Sequence, residues 1–202
     1  MFVIGLAGGS GSGKSLVSGL FEAHRIPSFD CDAAYHELIS KKCPLTSELG
    51  QIFGDGILFP DGSVNRRALA EIVFADEEKR KTLNRITHAH VLDVLHGWLK
   101  ALEKDGQTVA VVDAPLLFES GFDRECDVTL AVTAPTKTRI NRIMERDGIT
   151  KEQAVERIAA QIGDEELKKR ADFTIRNDGD VEYVTEQFNT LLRKIEERRN
   201  KK

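Results

Sequence analysis

Cysteine is scarce in this chain of 202 residues. Cys31, Cys43 and Cys126 are odd in number and widely spaced, so they give neither a disulfide framework nor a zinc-ligand pattern. A reduced, cytoplasmic protein is expected. Long apolar runs are missing as well. Nothing approaches the ~18 apolar residues of a membrane span, and no membrane partner is expected. The chain opens directly on a strand-like stretch with no charged segment ahead of it, so no signal peptide is expected either. Excess charge of one sign is absent. Lys and Arg number 29 against 33 Asp and Glu, a net charge of −4. That balance argues against a nucleic-acid backbone as the main partner. It leaves room for a small anion held by a few local basic side chains. Internal repeats and low-complexity segments are lacking too. What remains is an apolar fraction of 41%, that of an ordinary soluble protein. The length fits one domain, with room for insertions, around a substantial core.

The stretch that orders the rest is FVIGLAGGSGSGKSL, residues 2 to 16. Phe2, Val3, Ile4 and Leu6 suit a buried parallel strand. Gly8, Gly9, Ser10, Gly11, Ser12, Gly13, Lys14 and Ser15 then fit G-x-x-x-x-G-K-[ST] at every fixed position. Val17, Leu20 and Phe21 follow at helical spacing, so strand, loop and helix come in the order the motif requires. Glycines let the backbone wind tightly and turn N–H groups toward an anion, and the helix points its positive dipole end at the same anion. Lys14 is expected to reach the β- and γ-phosphates of a nucleoside triphosphate, and the Ser15 hydroxyl to sit on Mg²⁺. The bland alternative is a glycine-rich turn that merely joins strand to helix. The flanks favour the phosphate site.

Downstream, Arg25 to Asp32 reads as a second short strand ending in two acids, Asp30 and Asp32. Strand ends of that kind are where ligands sit in open α/β sheets. Either acid also suits the cap of a helix starting at Ala33, and for Asp32 the catalytic and capping readings both stand. From Ala33 to about Lys104 the pattern is mostly helical, with turns at Phe53–Gly56 and Pro60–Ser63. Helices are expected around Ser47–Phe53, over Arg66–Phe74 and from about Asp76 to Leu102. About seventy residues are too many for a simple crossover, which points to an inserted subdomain that holds a second substrate. Arg66, Arg67 and Arg85 lie there as phosphate candidates, each equally readable as a solvated helix residue. His88 and His90 have no Cys near them in sequence and read as polar surface or core residues rather than metal ligands.

Gln107 to Val112 is a third strand, and Asp113 stands at its end, where P-loop proteins place a second Mg²⁺-linked acid. Asp127 to Val132 is a fourth. Helical blocks over Thr136–Asp147 and Thr150–Ile162 carry Lys137, Arg139, Arg142, Arg146 and Arg157, which suits a mobile lid bringing positive charge to transferring phosphate. The alternative pairs them with Glu145, Glu152 and Glu156 as ordinary surface. Arg139 and Arg142 are read as functional, the others as surface. Ala171 to Ile175 is the last strand. A final helix from Val181 to about Arg198 ends in a charged tail expected to fray as far as Lys202.

These motifs together closely resemble the dephospho-CoA kinase family over nearly the whole chain. The likeness rests on GLAGGSGSGKS at Gly5–Ser15, FDCD ending in Asp32 and DGSVNRRALAEIVF at Asp61–Phe74. It rests also on DAPLLFE at Asp113–Glu119, RIMERDG at Arg142–Gly148 and IRNDG at Ile175–Gly179. The resemblance implies ATP- and Mg²⁺-dependent phosphorylation of the 3′-hydroxyl of the dephospho-CoA ribose, the last step of coenzyme A synthesis. It implies an α/β P-loop fold of three layers, with a parallel, five-stranded sheet. The core would be 1–32, 105–135 and 169–202, the helical substrate-binding insertion about 33–104 and the helical lid about 136–168. Asp32 becomes the base for the hydroxyl, with Lys14 and Arg142 the other catalytic residues. The resemblance assigns the nucleotide to Gly8 through Ser15 with Leu16, Arg139 and Asn177, and the metal to Ser15 and Asp113. The acceptor falls to Asp32, Arg66, His88, Leu116 and Leu117. The chain departs from the family pattern at three places. Ala89 follows His88 where proline is usual, Gln161-Ile162-Gly163 replaces a Gln-Met-Pro stretch, and Arg176-Asn177-Asp178-Gly179 replaces Asp-Asn-Asn-Gly. A monomer that binds no nucleic acid is expected.

Rival readings are a nucleoside or other small-metabolite kinase on the same scaffold and a GTP-dependent switch. A third is a chain that has kept the loop and lost catalysis. No Asn-Lys-x-Asp guanine signature is present, which counts against the switch. Lys14, Ser15 and Asp32 together count against lost catalysis.

Overall fold

The computed structural model of the chain describes residues 1–74 and 76–200. In chain order the elements are β1 (Phe2–Ala7), α1 (Lys14–Ala23), β2 (Ser28–Asp30), α2 (Cys31–Ile39), α3 (Pro44–Phe53), α4 (Arg66–Phe74) and α5 (Glu77–Lys104). Then come β3 (Val109–Asp113), α6 (Leu117–Ser120), β4 (Val128–Thr133), α7 (Thr136–Asp147), α8 (Lys151–Ala159), α9 (Asp164–Arg170), β5 (Phe173–Arg176) and α10 (Val181–Arg199). The five strands form one parallel sheet in the order β2-β3-β1-β4-β5. β1 lies at its centre, pairing Phe2 with Val109 through Leu6 with Asp113 on one side and Ile4 with Val128 on the other. All six residues of β1 are buried, which is why the strand reads as a continuous apolar run rather than an alternating one.

The chain divides into two compact units. The first comprises Met1–Phe29 and Asp105–Lys202, of which Lys201 and Lys202, the end of the expected charged tail, lie outside the described residues. Its core packs Ile4, Leu6, Val111, Leu130 and Val132 of the sheet against Val17 and Phe21 of α1 and Val184 and Phe188 of α10. Phe21 and Phe188 meet edge to face, with ring centroids 4.7 Å apart and an interplanar angle of 80°. Burying a side chain of this size contributes about 1.5–3 kcal/mol. Two carboxylates tie the sheet together at its strand starts. Asp127 Oδ2 accepts from the Val3 N–H at 2.7 Å. Asp172 accepts from the Thr129 N–H and hydroxyl, both at 2.9 Å, and from Arg198 Nη1 at 2.6 Å.

The second unit, Asp30–Lys104, is helical and has a core of its own in Ile39, Leu45, Leu49, Ile57, Val64, Leu69 and Ile86. Pro44 opens α3, where its missing N–H costs no bond, and Thr46 Oγ1 accepts from the Cys43 N–H at 2.9 Å to close the cap. Asp76 Oδ1 accepts from the N–H groups of Glu78 and Lys79 at 3.0 and 3.1 Å and starts the 28-residue α5. His90 Nε2 sits 2.9 Å from Glu48 Oε2. Its acidic partner is thus supplied by α3.

Several boundaries differ from the sequence expectation. The second strand covers only Ser28–Asp30, because Asp30 Oδ1 accepts from the Ala33 N–H at 2.9 Å and turns the chain into α2 at Cys31. Asp30 is therefore the cap, and Asp32 lies exposed within the first helical turn. β3 begins at Val109 instead of Gln107, and β5 is shifted to Phe173–Arg176, since Asp172 is engaged by Thr129 ahead of it. The block expected over Thr150–Ile162 is α8, which ends at Ala159, and a separate helix, α9, follows it.

Candidate active site

The loop from Gly8 to Gly13 joins the carboxyl end of β1 to α1, whose first helical residue is Lys14. The first N–H groups of a helix point along its axis, here toward the loop; in α1 the Leu16 N–H donates to Gly13 O at 3.0 Å. Gly13 sits at φ 89°, in the left-handed region open to glycine, and a Cβ there would overlap Asn177 Nδ2.

Three consecutive loop carbonyls are held by side chains from beyond β4. Arg139 Nε donates to Ser10 O at 2.9 Å. Arg142 Nη1 donates to Gly11 O at 3.3 Å and Ser12 O at 3.4 Å. Asn177 Nδ2 donates to Ser12 O at 2.8 Å, and Asn177 Oδ1 accepts from Arg142 Nη2 at 3.3 Å. A peptide whose carbonyl is drawn to one side presents its N–H on the other, so this capture favours an amide-lined nest. Gln161 Oε1 accepts from the Ser10 N–H at 2.8 Å.

Lys14 Nζ pairs with the carboxylate of Asp113, the last residue of β3, which is 7% exposed. Ser15 is exposed one residue into α1, and Leu16 is half-buried against the sheet core. Ser15 and Asp113 are hard oxygen donors, the type Mg²⁺ takes when phosphates and waters supply the rest of its shell. No group of three or more His, Cys, Asp or Glu side chains suited to a metal occurs among the described residues. The two residues therefore suit Mg²⁺.

Two expectations change in detail. Arg139, expected at the nucleotide, is 2% exposed and lies beneath the loop, with Nη1 on Asp164 Oδ1 at 2.7 Å. Its Nη2 is buried without a hydrogen-bond partner among the described residues, a loss of about 1–3 kcal/mol. Leu117, expected at the acceptor, is fully buried, close enough that a Cβ on Gly5 would lie 2.8 Å from its Cδ2. Its neighbour Leu116 is 42% exposed and keeps a free surface. Outside the site, Arg146 and Arg157 pair with Asp147 rather than with the expected glutamates, and the Arg146 hydrogen bonds first of all hold the Asp147 carboxyl down at about 2.

The sequence reading missed Gln161 as a partner of the loop and Asp164 as the partner of Arg139. For Gln161 the signal was that it keeps the glutamine of the family's Gln-Met-Pro stretch; for Asp164 it was position alone, just past the second arginine-bearing helix. In the helical unit, Arg66 is exposed at the start of α4, and its charge partly offsets the burial that pushes the Tyr35 phenol up. His88 is half-buried on α5, and that burial pushes its imidazole down from the ordinary value.

A parallel sheet with this loop at the end of its central strand, a lysine at the helix start and an acid at the adjacent strand end defines a P-loop kinase. The sequence model of dephospho-CoA kinase (CoaE) matches residues 2–182. A dephospho-CoA kinase of Listeria innocua is 39% identical over 192 residues, covering 95% of this chain and 96% of that protein. A solved structure from Thermus thermophilus superposes with a TM-score of 0.82 at 33% identity, covering 96% of this chain and 97% of its own. A dephospho-CoA kinase from Campylobacter jejuni superposes with a TM-score of 0.70 at 26% identity over 96% of both chains. The chain belongs to the dephospho-CoA kinase family.

Proposed function

We propose that the chain transfers the γ-phosphoryl group of ATP to the 3′-hydroxyl of the dephospho-CoA ribose, giving coenzyme A. Family membership supports the reaction. The observation that carries the site is the capture of the Ser10, Gly11 and Ser12 carbonyls by Arg139, Arg142 and Asn177, which favours loop amides facing an anion.

In this reading amides of the Gly8–Gly13 loop, such as those of Gly11 and Gly13, and those of Lys14 and Ser15 at the start of α1 bind the polyphosphate, while the Ser10, Ser12 and Leu16 N–H groups are held by Gln161, Gly9 O and Gly13 O. The Lys14 ammonium leaves Asp113 for the β- and γ-oxygens. Ser15 and Asp113 would hold Mg²⁺, which when bound spreads the charge of the transferring group. Asp32 orients the acceptor hydroxyl and takes its proton, a general-base contribution of about 10²–10⁴. Arg142 and Asn177, half-buried and buried beside the loop, flank the nucleotide, and Arg142 adds positive charge at the transition state. Arg66, His88 and Leu116 engage the acceptor, with residues 33–104 as its helical holder. Residues 136–168 act as a lid that excludes water, which otherwise competes as the nucleophile. The enzyme works as a cytoplasmic monomer, and no described helix is long and apolar enough to cross a membrane.

ADP release with dephospho-CoA present and absent, beside nucleosides and nucleoside monophosphates, tests this. Release stimulated by dephospho-CoA alone is expected. Stimulation by a nucleoside instead, or by no acceptor, would sink the reading.

A further inference from the structure

Ser10, at the crest of the loop, is gripped on both faces of its backbone. Its carbonyl accepts from Arg139 Nε at 2.9 Å and its N–H donates to Gln161 Oε1 at 2.8 Å. Both gripping side chains come from the helical segment after β4. They are coupled there through Asp164, three residues past Gln161, which pairs with Arg139 Nη1 at 2.7 Å. The grip needs a residue without a side chain next to it. A Cβ on Gly9 would overlap Arg139 Nη2 and lie 3.1 Å from Gln161 Oε1.

We propose that Gln161 is a positioning residue for the nucleotide. By accepting the Ser10 N–H while Arg139 holds the Ser10 carbonyl, it fixes the two successive peptide planes that meet at Ser10 before any phosphate arrives. A loop of four glycines among six residues otherwise has many conformations to lose on binding, and each is a cost against affinity. The hydrogen bond also fixes a division of labour. The Ser10 N–H is committed to Gln161 and the Ser12 N–H to Gly9 O at 3.0 Å, so phosphate is left to other amides of the loop, those of Gly11 and Gly13 among them. Arg139, buried under the loop, acts through Ser10 and not on the phosphate. Gln161 needs only an acceptor at Oε1 for this task, which makes the role separable from bulk and from packing.

This inference rests on the proposed kinase reaction but is read independently of it. Amide exchange by NMR is measured on the nucleotide-free full-length wild type, Gln161→Ala and Gln161→Glu, together with calorimetric ADP binding and steady-state kinetics. Gln161→Ala removes the acceptor, and Ser10 amide exchange is expected to speed up at least about tenfold. ADP Kd and the KM for ATP are expected to rise about three- to tenfold, the scale of one lost neutral hydrogen bond, with kcat within about twofold. Gln161→Glu keeps an acceptor oxygen and retains slow Ser10 exchange. A Ser10 amide equally protected in Gln161→Ala overturns the proposal, and so does unchanged ADP affinity. Wild-type failure to phosphorylate dephospho-CoA would instead overturn the functional reading, while the exchange and ADP-binding results would still decide the role of Gln161.

Discussion

Asp113, at the end of β3, holds the ammonium of Lys14, the first residue of α1. The pair links the two central strands to the helix beneath the phosphate loop, and both side chains are largely buried. In the proposed reaction the lysine exchanges this carboxylate for phosphate oxygens. Lys14→Ala is therefore expected to lower ADP release with dephospho-CoA by about 10²–10³-fold, the usual cost of one charge-stabilising donor. A thermal melt establishes that the variant is folded. Turnover near wild type would remove Lys14 from the phosphate assignment.

Asp30 and Asp32 are two positions apart in sequence and differ in task. Asp30 caps α2 through the Ala33 N–H at 2.9 Å, so Asp30→Ala is expected to cost about 1 kcal/mol in urea unfolding. Asp32 is exposed in the first turn of that helix. Asp32→Asn is expected to leave unfolding within about 0.5 kcal/mol and ATP binding intact, while turnover falls by about 10²–10⁴-fold. Turnover preserved within a few-fold would exclude Asp32 as the base.

The sequence carried the sheet and the loop well because their signals are local. A continuous apolar run marks β1, and a fixed motif marks the turn into α1. Thr136–Asp147 was legible to the residue, since its apolar period is regular and Gly148 stops it in the left-handed conformation. Short-range competition was less legible. A second strand ending in two acids looked plausible until the Asp30 side chain, one atom group reaching three residues ahead, started a helix. Long-range pairings were invisible. The Gln161 hydrogen bond to Ser10 spans 151 positions, and neither residue type announces it. The place of Arg139 on a helix face reads as functional from the sequence. Only the fold shows that it holds a loop carbonyl from beneath.

Arg25 is the one non-glycine residue with positive φ, at 58°, among the described residues. It terminates α1. Its N–H reaches Glu22 O at 2.8 Å and the Ile26 N–H reaches Phe21 O at 3.0 Å, the paired bonds of a Schellman motif that usually has glycine there. The left-handed conformation costs an L-residue about 1–2 kcal/mol, partly returned by the smaller freedom of the unfolded chain. Arg25→Gly is expected to raise stability by about 0.5–1 kcal/mol and Tm by ~1–4 °C, with kcat/KM unchanged. A lowered Tm would show that the Arg25 side chain contributes more than its backbone strain costs.

Acid stability follows from Asp172, which ties β4 to α10. Burial alone would raise its carboxyl, yet hydrogen bonds from the Thr129 N–H and hydroxyl and from Arg198 outweigh it and hold the folded value below the ordinary 3.8. A depressed folded value means that the unfolded chain takes up the proton first. The stabilising contribution is therefore fully present above about pH 4 to 5 and is lost as pH falls below 3.8 toward the folded value. In Asp172→Asn the side chain can still accept from Thr129, but the charge pair with Arg198 is gone and nothing at that position titrates. Urea midpoints measured from about pH 7 down to about pH 3 should therefore show wild type above Asp172→Asn by a constant margin near neutrality. That margin should narrow only in the most acid samples. A margin independent of pH would mean that the Asp172 carboxyl titrates alike in the folded and unfolded chain, and that its bonds to Thr129 and Arg198 do not favour the ionised form.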